Sequence, residues 1–108
     1  MNDILSLLEQ YTLDNADDIS KEIAADFRRR RIEKNLTRQQ IAEKSRVAVS
    51  NIVRFEQKGL ISLKNLINLA MTLQYTSEIR HLFTEPKYST MAELTQIRKN
   101  QGKKRAHK

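Results

Sequence analysis

Cysteine is absent from this chain of 108 residues, which excludes disulfide staples and cysteine-based zinc sites and fits a reducing compartment. Long apolar runs are missing as well. None approaches the ~18 residues of a membrane span, and the N-terminus lacks a basic-then-apolar leader pattern, so a cytoplasmic setting with no membrane partner is expected. Aromatic residues are few, three Tyr and three Phe with no Trp, and their scatter supplies no stacking platform for RNA bases. Phe27, Phe55 and Phe83 read as core. No alternating apolar pattern is long enough for a strand, which points to an all-α fold. The two histidines, His81 and His107, stand outside any motif of acids, bases or nucleophiles. No catalytic residue, metal site or cofactor is expected.

What is present is basic charge, unevenly placed on a net +7. Residues 1–22 carry six acids (Asp3, Glu9, Asp14, Asp17, Asp18 and Glu22) against Lys21 alone, whereas Arg28 through Lys64 carry eleven bases against Glu33, Glu43 and Glu56. Arg98, Lys99, Lys103, Lys104, Arg105 and Lys108 close the chain without an acid. A basic middle and a basic tail suit a polyanion, most simply nucleic acid, and equally a solvated surface with a disordered tail.

The apolar periodicity divides the chain into one domain with two extensions. Residues 1–15 hold a short amphipathic helix over about 3–12, with Ile4, Leu5 and Leu8 on one face, and a linker. Residues 16–85 form the core domain. Its first helix, capped by Asn15 or Asp17, runs to about Lys34 with Ile23, Ala24 and Phe27 turned inward and Asn35 as a left-handed stop. Thr37 and Gln40 make a capping box for a helix from Arg38 to about Lys44. A further helix spans about Val49–Gln57 and ends at Gly59. Ser62 caps the next, where Leu63, Leu66, Ile67, Ala70 and Leu73 recur at helical steps, and Ile79, Leu82 and Phe83 mark one more. The single proline, Pro86, closes the compact part. Residues 86–108 are read as a basic, partly disordered arm, in which Thr90 and Glu93 can cap a weak helix before Gly102.

Between Leu36 and Gly59, LTRQQIAEKSRVAVSNIVRFEQKG, the apolar residues interlock at helix-turn-helix spacing. Ile41, Ala42, Val47, Ile52 and Phe55 must point inward, with Ala42 small where the two helices cross. Val49, Ser50, Asn51, Arg54 and Lys58 point outward and supply methyls, a hydroxyl, an amide, a guanidinium and an ammonium, groups that read base edges and phosphates.

The stretch Phe27–Leu73 resembles the repressor-type helix-turn-helix domain of the Xre/Cro family. It shares an arginine-rich first helix, an LTxxxIA start, a Val-x-x-Ser-x-Ile turn and recognition helix, an R-Φ-E-x-x-G ending (Φ apolar), and SLxxLxxLAxxL. The resemblance implies a five-helix DNA-binding domain, here with an extra N-terminal helix and a basic C-terminal arm. It also implies a buried ion pair between Arg31 and Glu56 that pins the recognition helix. Base contacts fall to Val49, Ser50 and Arg54, with Asn51 beside them. Arg54 suits a guanine, whose O6 and N7 its fork can grip together, or else a phosphate. Arg38 stands at a phosphate-contact position with Gln39 next to it, and Lys58, Ser62 and Lys64 complete the DNA-binding set. Two positions depart from the family pattern. Arg46 replaces a glycine in a left-handed turn, and Arg38 replaces a glutamine.

One recognition helix reads too few base pairs alone, so a homodimer on an inverted-repeat operator in double-stranded DNA is expected. The N-terminal helix and the helix bearing Ile79, Leu82 and Phe83 are the candidate dimer faces. The run from Leu82 to Leu94, LF-x-x-P-x-Y-x-T-x-x-E-L, is similar to the arm of HipB-type antitoxins, which act with HipA-type serine/threonine kinase toxins. That similarity implies a bacterial autorepressor, cytoplasmic and on the nucleoid when bound to its operator, that docks on a kinase toxin or its companion subunit. A stand-alone or phage-type repressor, or a helical protein–protein adaptor, is the alternative.

Overall fold

The computed structural model describes residues 14–106, so the helix expected over 3–12 lies outside the described residues. Among the described residues every regular element is a helix and there are no strands: α1 (Ala16–Glu33), α2 (Arg38–Ser45), α3 (Val49–Lys58), α4 (Leu63–Thr72), α5 (Thr76–Arg80) and α6 (Met91–Asn100). The first five make the all-α helix-turn-helix domain.

Local chemistry sets the helix ends. The Asn15 side chain accepts from the Asp18 amide at 2.9 Å, while Asp17 and Asp18 in the first turn of α1 and Arg30 and Arg31 in its last turn complement the helix dipole. Asn35 then takes a left-handed φ of 55°, the stop read from the sequence. At α2 both halves of the capping box are made: Thr37 Oγ1 accepts from the Gln40 amide at 3.0 Å and Gln40 Oε1 accepts from the Thr37 amide at 2.8 Å. Gly59 ends α3 at φ 70°, where a Cβ would lie 3.0 Å from the α1 backbone at Ser20 and Lys21. Both conformation and close approach require glycine there.

The core is Ala24 and Phe27 from α1, Ile41 and Ala42 from α2, Val47 from the turn, Ile52 and Phe55 from α3, and Leu69 and Leu73 from α4 and its end. Phe27 and Phe55 meet at a ring-centroid distance of 5.4 Å with planes tilted by 50°, an arrangement worth roughly 0.5–1.5 kcal/mol beyond area burial. Three expectations need correction. Ile23 is 45% exposed, because α1 packs chiefly on α3 through Ala24, Phe27 and Arg31, and Ile23 stands on the flank of that stripe. Leu63 is 64% exposed while Leu69 is fully buried, since the inward stripe of α4 begins a turn after the helix does. Phe83 is wholly exposed with a left-handed φ of 63°. Helix α5 has already ended at Arg80, so Phe83 belongs to the connection and not to the core.

Beyond Pro86 the arm carries α6, capped by Thr90, whose side chain accepts from the Glu93 amide at 3.1 Å, while Glu93 Oε2 accepts from the Ser89 amide at 3.0 Å. The T-x-x-E-L run is thus a helix start in chemical terms.

Candidate DNA interface

The turn between α2 and α3 fixes how the second helix is presented. Arg46 ends α2 at φ 62°, ψ 22°, its amide donating to the Ala42 carbonyl at 2.8 Å. Buried Ser45 turns its Oγ to accept from the Val47 amide at 3.2 Å, which satisfies a turn donor otherwise enclosed. A left-handed arginine costs about 1 kcal/mol relative to glycine. Arg46→Gly is therefore expected to stabilise the domain, raising the thermal midpoint by a few degrees with no change in turn geometry by NMR chemical shifts. A fall in the midpoint would show that the Arg46 side chain contributes more than its backbone strain costs.

Helix α3 buries Ile52 and Phe55 and exposes Ser50, Asn51, Arg54 and Lys58. Val49 is only half exposed and packs against the core, leaving part of its methyl surface outward. Ala48 provides no side-chain cap, unlike the residues that cap α1, α2, α4 and α6, so the Val49 and Ser50 amides remain available to an acceptor, while the Asn51 amide donates to the Ala48 carbonyl at 3.0 Å. A surface depression of about 370 Å³ is lined by Asn51, Arg54, Leu60, Ile61 and Ser62. It brings together three of the candidate residues drawn from two helices. Ser62 caps α4, its Oγ accepting from the Asn65 amide at 3.2 Å, and Lys64 is exposed in the first turn.

Behind α3 sits the charge cluster that holds it. Glu56 accepts from Arg31 Nε at 2.8 Å and from Arg31 Nη2 at 3.0 Å, while Arg31 Nη1 donates to the Leu36 carbonyl at 2.8 Å. The two side chains are 8% and 1% exposed, so the bidentate pair ties α1 to α3 out of water. Arg38 also donates to Glu56, Nε to Oε1 at 3.0 Å, and Arg28 Nε stands 4.0 Å from the same oxygen. Three guanidiniums around one carboxylate leave two positive charges uncompensated, and the more exposed pair, Arg28 and Arg38, carry that excess at the surface. The tether from Arg38 to Glu56 was not legible in the sequence. The signal for Arg28 was present, since it shares a helix face with Arg31.

The remaining candidates are more loosely held. Gln39 donates to Glu43 at 3.3 Å on the exposed face of α2. Arg29 and Arg30 pair with Asp26 and Glu33, away from Glu56, and the hydrogen bond and charge of Glu33 raise the pKa of Arg30. The His81 ring meets Ser77 of its own turn, and its carbonyl accepts from Thr84. No described helix is long and apolar enough to cross a membrane.

A helix held by a buried ion pair, with polar and cationic groups facing out and a tight left-handed turn before it, makes a helix-turn-helix unit. Residues 27–79 match the family model described as helix-turn-helix. The match supports a helix-turn-helix domain of the Xre/Cro kind and, with it, a DNA-binding regulatory role. No curated protein matches the chain.

Proposed function

We propose that the protein is a sequence-specific repressor that binds an inverted repeat in double-stranded DNA as a homodimer. The observation that carries this reading is the outward set on α3, Ser50, Asn51 and Arg54, mounted on a helix pinned by Arg31 and Glu56. Rigid presentation of this kind favours base readout, because the side chains are positioned before DNA arrives. In this reading Arg54 grips guanine, Ser50 and Asn51 read the neighbouring pair, and the exposed methyl of Val49 meets thymine. Arg38, Gln39, Lys58, Ser62 and Lys64 contact phosphates and set the register.

The arm favours a HipB-like role. Its Leu82–Leu94 pattern, with the Thr90 and Glu93 helix start, supports an autoregulator and antitoxin that docks on a HipA-type kinase or the kinase's companion subunit. The test is co-purification of the full chain with the HipA-type kinase encoded beside it, followed by a growth assay with both expressed. A stable complex and rescued growth are expected. Absence of a neighbouring kinase, or no complex with it, would leave a stand-alone repressor.

The basic residues after α6 act on phosphates in this reading. Replacing Lys103, Lys104 and Arg105 by alanine is expected to weaken DNA binding equally for all sequences and to flatten the slope of log K against log salt by about one for each phosphate no longer neutralised. A changed base preference in competition binding would show that the tail reads a groove.

A further inference from the structure

An apolar groove of about 520 Å³ runs between α1 on one side and α4 and α5 on the other. Ile23, Phe27, Leu66, Ala70, Ile79 and Leu82 line it, and Ile23 and Leu82 are about half exposed. Among the described residues, helix α6 is the second apolar surface without a partner. It buries none of its residues, it does not enter the main helix packing, which joins α1 to α3, α2 to α3 and α4, and α4 to α5, and Met91, Leu94 and Ile97 follow one another on one of its faces. Among the described residues the groove thus stays open, although its own chain carries an amphipathic helix that leaves the domain just past Leu82.

Charge decides what fits the groove. Of the charged residues that line the groove, Asp26 and Arg30 are paired with Arg29 and Glu33, and Glu78 stands on the opposite rim; on α1, Asp18 and Glu22 extend the acidic stripe of Asp26 at four-residue steps beside Ile19 and Ile23. Glu22 and Glu78 have no ion-pair partner among the described residues. From α6 to Arg105 the arm carries Arg98, Lys99, Lys103, Lys104 and Arg105 against Glu93 alone. The N-terminal residues 1–13 contain Asp3 and Glu9 and no Lys or Arg, so placing them in the groove would set acid beside acid.

We propose that α6 of one copy docks its Met91–Leu94–Ile97 face in the groove of a second copy, and the reverse, so that exchanged arms make the dimer. A two-fold pair fills both grooves at once, as an isologous interface requires. The linker through Phe83, left-handed and fully exposed, is where each chain turns away from its own domain. Arm exchange rests on the homodimer of the proposed function, gives it a surface, and does not depend on DNA.

The natural absence of cysteine makes the test clean. Full-length Ile23→Cys and Ile97→Cys variants are mixed and treated with a short bis-maleimide. The mixed sample is expected to give far more linked dimer than either variant alone. Equal yields, or a link formed only within single chains of the double variant, would overturn the proposal. In sedimentation, Leu94→Glu with Ile97→Glu is expected to weaken the dimer by roughly 10- to 100-fold with the helix content by circular dichroism unchanged. If the unaltered chain sediments as a monomer, the dimeric reading fails with this one. If it is a dimer that the arm variant leaves intact, or one that Leu5→Glu with Leu8→Glu dissociates instead, the arm exchange alone is overturned.

Discussion

Glu56→Ala is expected to cost about 3–5 kcal/mol of stability, because it leaves Arg31 buried and charged with its strongest partner removed. The side chains concerned are 8% and 1% exposed, so water cannot replace the missing carboxylate without opening the packing between α1 and α3. For a domain of this size the thermal midpoint would fall by roughly 15 °C or more, measured by circular dichroism at 222 nm. Arg31→Met combined with Glu56→Leu should recover most of that stability, since an apolar pair of similar volume removes the desolvation penalty on both sides. The double variant isolates the cost of an orphaned charge from that of the pair itself. A cost below about 1 kcal/mol in Glu56→Ala would show that the cluster behaves as a surface ion pair.

Arg54→Ala is expected to weaken binding to the preferred operator by about 1–3 kcal/mol and to relax preference at a single base position in each half-site. Arg54 is exposed at the mouth of the depression it shares with Asn51 and Ser62, and no described residue holds it in an ion pair, so its guanidinium is free for an external acceptor. Arg54→Lys should restore charge without the fork and recover the nonspecific part of the affinity only. Competition binding against operators altered one base pair at a time separates the two. Equal weakening on every sequence would assign Arg54 to a phosphate.

Those two variants probe parts of the molecule that differ in how far the sequence reveals them. The inward set of the helix-turn-helix unit, Ile41, Ala42, Val47, Ile52 and Phe55, was legible because helical period and turn spacing are local properties, and all five are buried. The left-handed residue at 46 was implied by the family resemblance, in which a glycine stands there. Ile23 and Leu63 were misread because each belongs to an apolar pattern wider than the face its helix buries, and which flank turns to solvent depends on helices elsewhere in the chain. Phe83 was misread because α5 ends at Arg80, before reaching it. The convergence of Arg28, Arg31 and Arg38 on Glu56 joins residues 18 or more positions apart, beyond any periodicity. Of the candidate interface, the outward face of α3 was readable and the electrostatic support beneath it only in part.

The most direct measurement is selection of bound duplexes from a random double-stranded pool by the full chain, followed by titration of the enriched sequence at two salt concentrations. The expected result is an enriched inverted repeat with half-sites about 34–36 Å apart centre to centre, or a multiple of this, bound with an affinity that falls steeply with salt. A pool that shows no enrichment, or binding that salt does not weaken, would contradict a sequence-reading repressor.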